Sequence, residues 1–164
     1  MVNQFSSAIN FHTYCNFVAG HSVATIGKQL NLPVTVFVPV TTMPMMADKI
    51  RKQDANVNVF GSNWNEADSE CKKFLSADSS CRYIPPFDDP RIWTGHSTII
   101  DEIKEQLNGV VPDAIVLSVG GGGLLCGVQE GLSRVGWSDV EIIAVETEGA
   151  CPPSPSFYSN STLF

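Results

Sequence analysis

Apolar and polar positions along this chain follow two periods in turn. Val34-Thr35-Val36-Phe37-Val38-Pro39 is an apolar, β-branched run closed by proline, and Val57-Asn58-Val59-Phe60 is a shorter one; both predict strands. Ala114-Ile115-Val116-Leu117 and Glu141-Ile142-Ile143-Ala144-Val145-Glu146 read as strands of the buried type. Between them the period lengthens. Residues 21–30 place Val23, Ile26 and Leu30 on one helical face before Asn31-Leu32-Pro33 stops the helix. A second helix is expected over residues 44–52. A third, over residues 63–75, is strongly charged and carries Trp64, Ala67, Cys71 and Leu75 as its inward stripe. Ile99, Ile100, Ile103 and Leu107 form an amphipathic helix running to Asn108-Gly109, and Leu124, Leu125, Val128, Leu132 and Val135 recur at helical spacing. Strands alternating with helices predict an α/β fold, with open parallel sheets, flanking helices and right-handed crossovers. Residues 1–14 show no clean period and read as an irregular start. Residues 78–82 read as a polar turn, and Tyr83-Ile84-Pro85-Pro86-Phe87-Asp88-Asp89-Pro90 as a proline-stiffened crossing, unfit for a central strand, where the domain junction is expected.

The chemistry concentrates in Ser118-Val119-Gly120-Gly121-Gly122-Gly123-Leu124-Leu125-Cys126-Gly127. Glycine reaches backbone angles closed to other residues, so successive N–H groups can converge on one point, and the following helix aims its positive end there too. A glycine run taken alone also describes a flexible linker. The strand before and the helix after favour a phosphate site at a strand's carboxyl end. Its spacing matches neither a nucleoside-triphosphate loop, which needs a Lys-Ser/Thr pair after the last glycine, nor a dinucleotide fingerprint. A small phosphorylated cofactor fits better.

Charge narrows the partners. A net charge of −7, without clusters of Lys and Arg, argues against a nucleic-acid or anionic-membrane surface. No window has the unbroken apolar length of a membrane span, and the cytoplasm is the expected compartment. The five cysteines are widely spaced and never in Cys-x-x-Cys pairs, so they read as reduced packing residues; with His12, His21 and His96 they form no zinc spacing.

Single residues carry paired readings. Cys126 follows the glycine run and could be a nucleophile, but its place on the apolar side of the helix favours packing. His96 could be an acid or base; a hydrogen bond at the start of its helix is preferred, and His21 is equally ambiguous. Asp88-Asp89 could suggest a metal, yet prolines on either side and no third ligand favour a turn. Glu146 either solvates a strand end or acts at the carboxyl edge of the sheet, where α/β sites assemble.

Ile84-Pro85-Pro86-Phe87-Asp88-Asp89-Pro90, Ile92-Trp93-Thr94-Gly95-His96, the glycine run with its Leu-Leu-Cys-Gly tail and Ala144-Val145-Glu146-Thr147 together resemble the L-serine dehydratase/L-threonine deaminase family, pyridoxal-phosphate enzymes of the tryptophan-synthase-β type. The similarity runs from about Gly20 to Ala150. The resemblance implies the pyridoxal-phosphate fold type II, here incomplete, and pyridoxal 5'-phosphate as cofactor. Its phosphate would be held by the N–H groups of Gly120, Gly121, Gly122, Gly123 and Leu124, with Glu146 near a monovalent-cation site. It implies deamination of serine or threonine, serine giving pyruvate and ammonia, and a homodimer in the intact form. The expected domains are an irregular start at 1–14, a partial smaller α/β domain at 15–85, the beginning of the larger cofactor-binding domain at 86–150, and a tail at 151–164 that departs from the family, carries no strand or helix signal and is expected to be disordered.

The chain departs from the family in two places. The Schiff-base lysine, which the family carries in a Ser-x-Lys context upstream of the first matching segment, has no counterpart, so no catalytic residue is assigned. Lys28, Lys49, Lys52, Lys72, Lys73 and Lys104 all fall on polar faces of expected helices. Of the substrate-carboxylate loop Ser-Ser-Gly-Asn-Ala-Gly only Ala19-Gly20 keeps register, with Asn16-Phe17-Val18 before it. The chain is therefore expected to be the middle of an enzyme, inactive alone, and at most to bind phosphate or cofactor weakly or to associate with an intact subunit.

Overall fold

A computed structural model describes residues 10–14, 17–77, 79–146 and 162–163, with side chains from residue 19 up to Glu146. The chain divides into two compact units, Met1–Pro86 and Phe87–Phe164, the division falling within the proline segment.

In the first unit β1 (Asn10–Tyr14), α1 (Phe17–Leu30), β2 (Val34–Val38), α2 (Pro44–Arg51), β3 (Asn56–Val59), α3 (Trp64–Ala77) and β4 (Cys81–Tyr83) build a four-stranded sheet of order β3-β2-β1-β4. Every pairing is parallel, with Val36 opposite Val57 in one register and Thr13 opposite Val36 in the other. Central β2 is apolar on both faces, as a parallel strand covered twice must be. Val36 and Val38 meet Ala24, Ile50 and Ala55, whereas Phe37 points the other way, to Cys71, Trp64, Leu75 and Tyr83. Phe74 adds a tilted ring contact to Phe37 at 5.8 Å between centroids.

Three expectations need correction here. Residues 10–14 are not irregular: they form β1, between β2 and β4. Arg82 lies in β4 and not in a polar turn, while Asp78 is outside the described residues. On α1 the expected stripe is displaced, since Ile26 and Leu30 are 52% and 61% exposed while Ala24 and Gly27 are buried and Val23 packs at the core's margin. Small residues win that face because the helix lies very close to the sheet. A Cβ on Gly27 would come within 2.3 Å of Val34 Cγ2.

α3 begins with reciprocal capping. Asn63 Oδ1 accepts from Glu66 N at 3.1 Å, and Glu66 returns a carboxylate oxygen to Ser62 N at 2.8 Å. The Ser62 N–H, with the Ser62 hydroxyl and the Asn63 side-chain amide, holds the Glu66 carboxyl below its ordinary pKa. Further along, buried Asp68 accepts from Tyr83 Oη at 3.0 Å and from Lys72 Nζ at 2.6 Å, tying α3 to edge strand β4. Burial raises the Tyr83 hydroxyl pKa and pushes the Cys71 thiol up to about 12. Cys71 and Cys81 are buried, the first at the centre of its packing cluster.

The second unit contains α4 (Pro90–Gln106), β5 (Ala114–Ser118), α5 (Gly123–Val135), β6 (Glu141–Val145) and β7 (Thr162–Leu163), with parallel sheet order β5-β6-β7. α4 ends where Asn108 and Gly109 take φ of 51° and 81°, the left-handed stop that Asn-Gly predicts. β7 lies within the stretch expected to be a disordered tail, pairing Thr162 with Ile143 and Leu163 with Ala144. The rest of that tail lies outside the described residues. Ile100, Leu117, Leu125, Val128, Leu132, Trp137, Ile142 and Ala144 make the core between sheet and helices. The opposite sheet face is less covered than its apolar sequence predicts: among the described residues Val116 is 65% and Val145 46% exposed.

Against this core α5 lays a seam of glycines, Gly123, Gly127 and Gly131, one turn apart. A Cβ on Gly127 would meet His96 Cβ at 2.4 Å and Trp93 O at 2.7 Å; one on Gly131 would meet Ser97 O and Ile100 Cγ1, both at 2.6 Å. The two helices thus touch backbone to backbone. Arg134 fastens the crossing, donating to Ser97 Oγ at 2.6 Å and Ser97 O at 3.1 Å and pairing with Asp101.

Candidate functional site

The glycine run becomes a turn between the carboxyl end of β5 and the first turn of α5. Gly122 is the residue before the helix, with φ 82° and ψ −10°, angles that disfavour any side chain. Val119 N donates to Val145 O at 2.9 Å, the last bond of the ladder, and Cys126 N donates to Gly122 O at 2.9 Å, the first bond of the helix. The six amides between them, from Gly120 to Leu125, find no acceptor among the described residues of this unit. Amides of a glycine turn and the positive end of a 13-residue helix share this place. An anion is the chemical complement of such an arrangement.

The shape agrees with that chemistry. A Cβ built on Gly120 meets nothing within 4 Å among the described residues, which leave that flank of the turn open. The other is closed by Phe87: a Cβ on Gly121 would lie 2.3 Å from its ring, and one on Gly123 2.9 Å from its carbonyl oxygen. Trp93 Nε1 donates to that carbonyl at 2.7 Å. Two motifs over thirty positions apart in sequence, the proline-phenylalanine-aspartate segment and the glycine run, are therefore in direct contact. Sequence reasoning noted both and missed their junction. The signal available was the Phe87-to-Trp93 spacing beside a run of residues without side chains.

Glu146 follows β6 directly, and the Val119–Val145 bond sets it at the same carboxyl edge as the turn, half-buried. Leu124 lies in the first turn of α5, partly buried against the core. Cys126 is half-buried, and burial together with the Asp88 carboxylate raises its thiol pKa, the reverse of what activates a nucleophile. His96 is exposed on the second turn of α4, its Cβ against Gly127, so the helix-start role expected of it is taken elsewhere. Asp89 fills that role. Its carboxylate accepts from Arg91 N at 2.8 Å and from the Arg91 side chain at 2.9 and 2.7 Å, and these bonds hold its pKa down to about 2. Because the folded value lies below the ordinary carboxylate value of about 3.9, the cap stabilises above pH ~4 and its contribution vanishes as pH falls towards 2. Thermal melts of wild type and Asp89→Ala should therefore differ at pH 5 and converge by pH 2. An equal gap at both pH values would refute that linkage. His21, Ala19 and Gly20 belong to α1 in the other unit, so the remnant of the substrate loop is helical from Phe17 onward. Among the described residues no three His, Cys, Asp or Glu side chains cluster as a metal site, and no helix is long and apolar enough to cross a membrane.

The lysines complete the picture. Lys104 is the one lysine of the second unit, and its Nζ lies 3.5 Å from Val135 O, at the carboxyl end of α5. The glycine turn is at the amino end, about 20 Å of helix away. Lys28, Lys72 and Lys73 of the first unit are paired with Asp54, Asp68 and Glu70.

Known proteins resemble this chain in sequence and in fold. The family profile described as pyridoxal-phosphate dependent enzyme matches residues 19–162. Human L-serine dehydratase/L-threonine deaminase is 48% identical over 132 residues, covering 80% of this chain and 40% of the human protein; L-serine dehydratase of Dictyostelium discoideum is 45% identical over 137 residues. Among solved structures, a fungal L-serine ammonia-lyase from Rhizomucor miehei superposes with a TM-score of 0.78 at 36% identity, over 87% of this chain and 45% of that one. The processed form of threonine deaminase isoform 2 from Solanum lycopersicum gives 0.81 at 30% identity, over 95% and 42%. The chain spans about 40% of the length of the curated relatives it matches. Over that span, the parallel sheets with their flanking helices, the glycine turn at a strand's end and the sequence itself place this chain in the pyridoxal-phosphate-dependent enzyme family.

Proposed function

We propose that this chain carries the phosphate-binding part of a serine or threonine dehydratase and does not deaminate an amino acid by itself. The observation that carries the reading is the row of amides from Gly120 to Leu125, which among the described residues have no acceptor and face no side chain on the Gly120 flank. The N–H groups of Gly120, Gly121, Gly122, Gly123 and Leu124 would hold the phosphate of pyridoxal 5'-phosphate, a dianion suited to a helix's positive end. Glu146, at the same edge, would supply a carboxylate to a monovalent cation beside it. When bound, the cofactor supplies an electron sink for carbanion chemistry at the substrate's α-carbon. That chemistry also needs a lysine amine within reach, to hold the cofactor and to move the α-proton. Lys104, at the far end of α5, does not meet the need, and the family's Ser-x-Lys motif does not occur in this chain.

The substrate class of the intact enzyme is a small hydroxy amino acid, by analogy with the named relatives. In the cell, the expected setting is the cytoplasm and the expected assembly of the intact form is a homodimer.

Two measurements test the proposal. Purified protein supplied with pyridoxal phosphate and serine should release no pyruvate, and borohydride should fix cofactor to no single lysine. Turnover, or stoichiometric labelling of one lysine, would overturn the assignment of this chain as non-catalytic. Pyridoxal phosphate should nonetheless bind more tightly than pyridoxal, which lacks the phosphate.

A further inference from the structure

We infer that Phe87, held in place by Trp93, is a positioning residue for the glycine turn, setting the curvature that points its amides at one anion. The inference rests on the phosphate reading of the turn and adds a group that never touches the phosphate. Four successive glycines have the largest backbone freedom a chain can have, and ordering them on binding would consume much of the binding free energy. A turn already ordered in the free protein avoids that loss. Phe87 is the element that orders it. Its ring covers the side of Gly121 where a Cβ would project, at 2.3 Å from that position, and its backbone covers Gly123 at 2.9 to 3.0 Å. A Cβ on Gly120 would meet no described residue within 4 Å, so among the described residues that side of the turn is left for the anion.

Phe87 is itself fixed from three directions. Pro85 and Pro86 stiffen the chain before it. Trp93 Nε1 grips its carbonyl at 2.7 Å, and Asp89, two residues later, caps the helix that carries Trp93. Core burial does not explain the residue: Phe87 is half-buried and outside the apolar cluster centred on Ile100 and Leu125. Glycine at 121 and 123 has the same origin, since a methyl group there would displace Phe87.

The test uses the full 164-residue chain labelled with ¹⁵N. Inorganic phosphate, pyridoxal phosphate and pyridoxal are titrated while the amide signals of Gly120 to Leu124 are followed. In wild type these signals should shift with phosphate and with pyridoxal phosphate, and little with pyridoxal. Phe87→Ala should weaken pyridoxal phosphate about tenfold, about 1.4 kcal/mol, and erase most of the preference over pyridoxal. Trp93→Phe, which keeps an aromatic ring but removes the N–H, should weaken it by a smaller factor in the same direction. Gly121→Ala should also weaken binding, but in the Phe87→Ala background the added methyl occupies space the ring has left, so the double variant should bind better than the product of the single losses. Ile100→Ala separates positioning from stability: it should lower the melting temperature without changing the preference for phosphate.

If wild type shows no shift with phosphate or pyridoxal phosphate, the phosphate reading falls and the role of Phe87 falls with it. If wild type responds and Phe87→Ala responds equally, or Ile100→Ala loses the preference to the same extent, the positioning role alone is overturned. Should Phe87→Ala unfold, Phe87→Leu and Trp93→Phe decide the matter, unchanged affinity in both refuting it.

Discussion

Gly127→Ala and Gly131→Ala should destabilise the protein, and Gly95→Ala should stabilise it, although all three replace a helical glycine by the best helix former. Propensity alone favours alanine by about 1 kcal/mol at each position. At Gly95 nothing among the described residues lies within 4 Å of the new methyl, so that gain should appear nearly whole. At Gly127 and Gly131 the methyl would fall 2.6 to 2.7 Å from backbone carbonyl oxygens of α4 as well as against side-chain carbons. Backbone cannot rotate away as a long side chain can, so α4 and α5 must separate. Overpacking of this kind costs about 1–3 kcal/mol and outweighs the propensity gain. Separation would also strain the bonds from Arg134 to Ser97. Urea melts of the three single variants check the prediction, and a stabilised Gly131→Ala would show that the helices are not in backbone contact.

Phe37→Ala should have the largest effect in the first unit. Its side chain is fully buried on the α3 side of central strand β2, among Cys71, Trp64, Leu75 and Tyr83, with Phe74 against its ring. Removing a buried phenylalanine costs about 3–5 kcal/mol, the transfer term plus that of a cavity its neighbours cannot fill. A domain of this size is stable by only about 5–15 kcal/mol in total, so most of the margin is at stake. Phe37→Leu retains most of the volume and should cost much less. Denaturant midpoints by circular dichroism give the comparison; similar values for the alanine and leucine variants would contradict the cavity argument.

Much of the architecture was legible in the residues alone, because long apolar runs and helical stripes depend on local spacing. The β-α-β unit of β2, α2 and β3, the strand-turn-helix around the glycine run and the Asn-Gly end of α4 all follow from that spacing, as does the family resemblance that the comparisons support. β1, β4 and β7 were not legible. Two of them are only two or three residues long, too short to display a period, and β1 carries polar residues that pairing on both edges overrides. The inner face of α1 was misread for a related reason: hydrophobicity predicts which residues seek burial, while the closeness of the sheet decided that Ala24 and Gly27 receive it and Ile26 and Leu30 do not.

What the amino-acid order determined by itself, then, is a local grammar: parallel strands joined by helices, a glycine turn suited to an anion, and a set of lysines with no Ser-x-Lys motif among them. Only the tertiary structure decided which distant pieces meet. It laid Phe87 against Gly121, ran the α5 glycine seam along α4, and set Lys104 at the end of α5 opposite the glycine turn. The physical reason is that periodicity records how one segment meets an average interior, whereas steric fit between two particular segments exists only once both are in place.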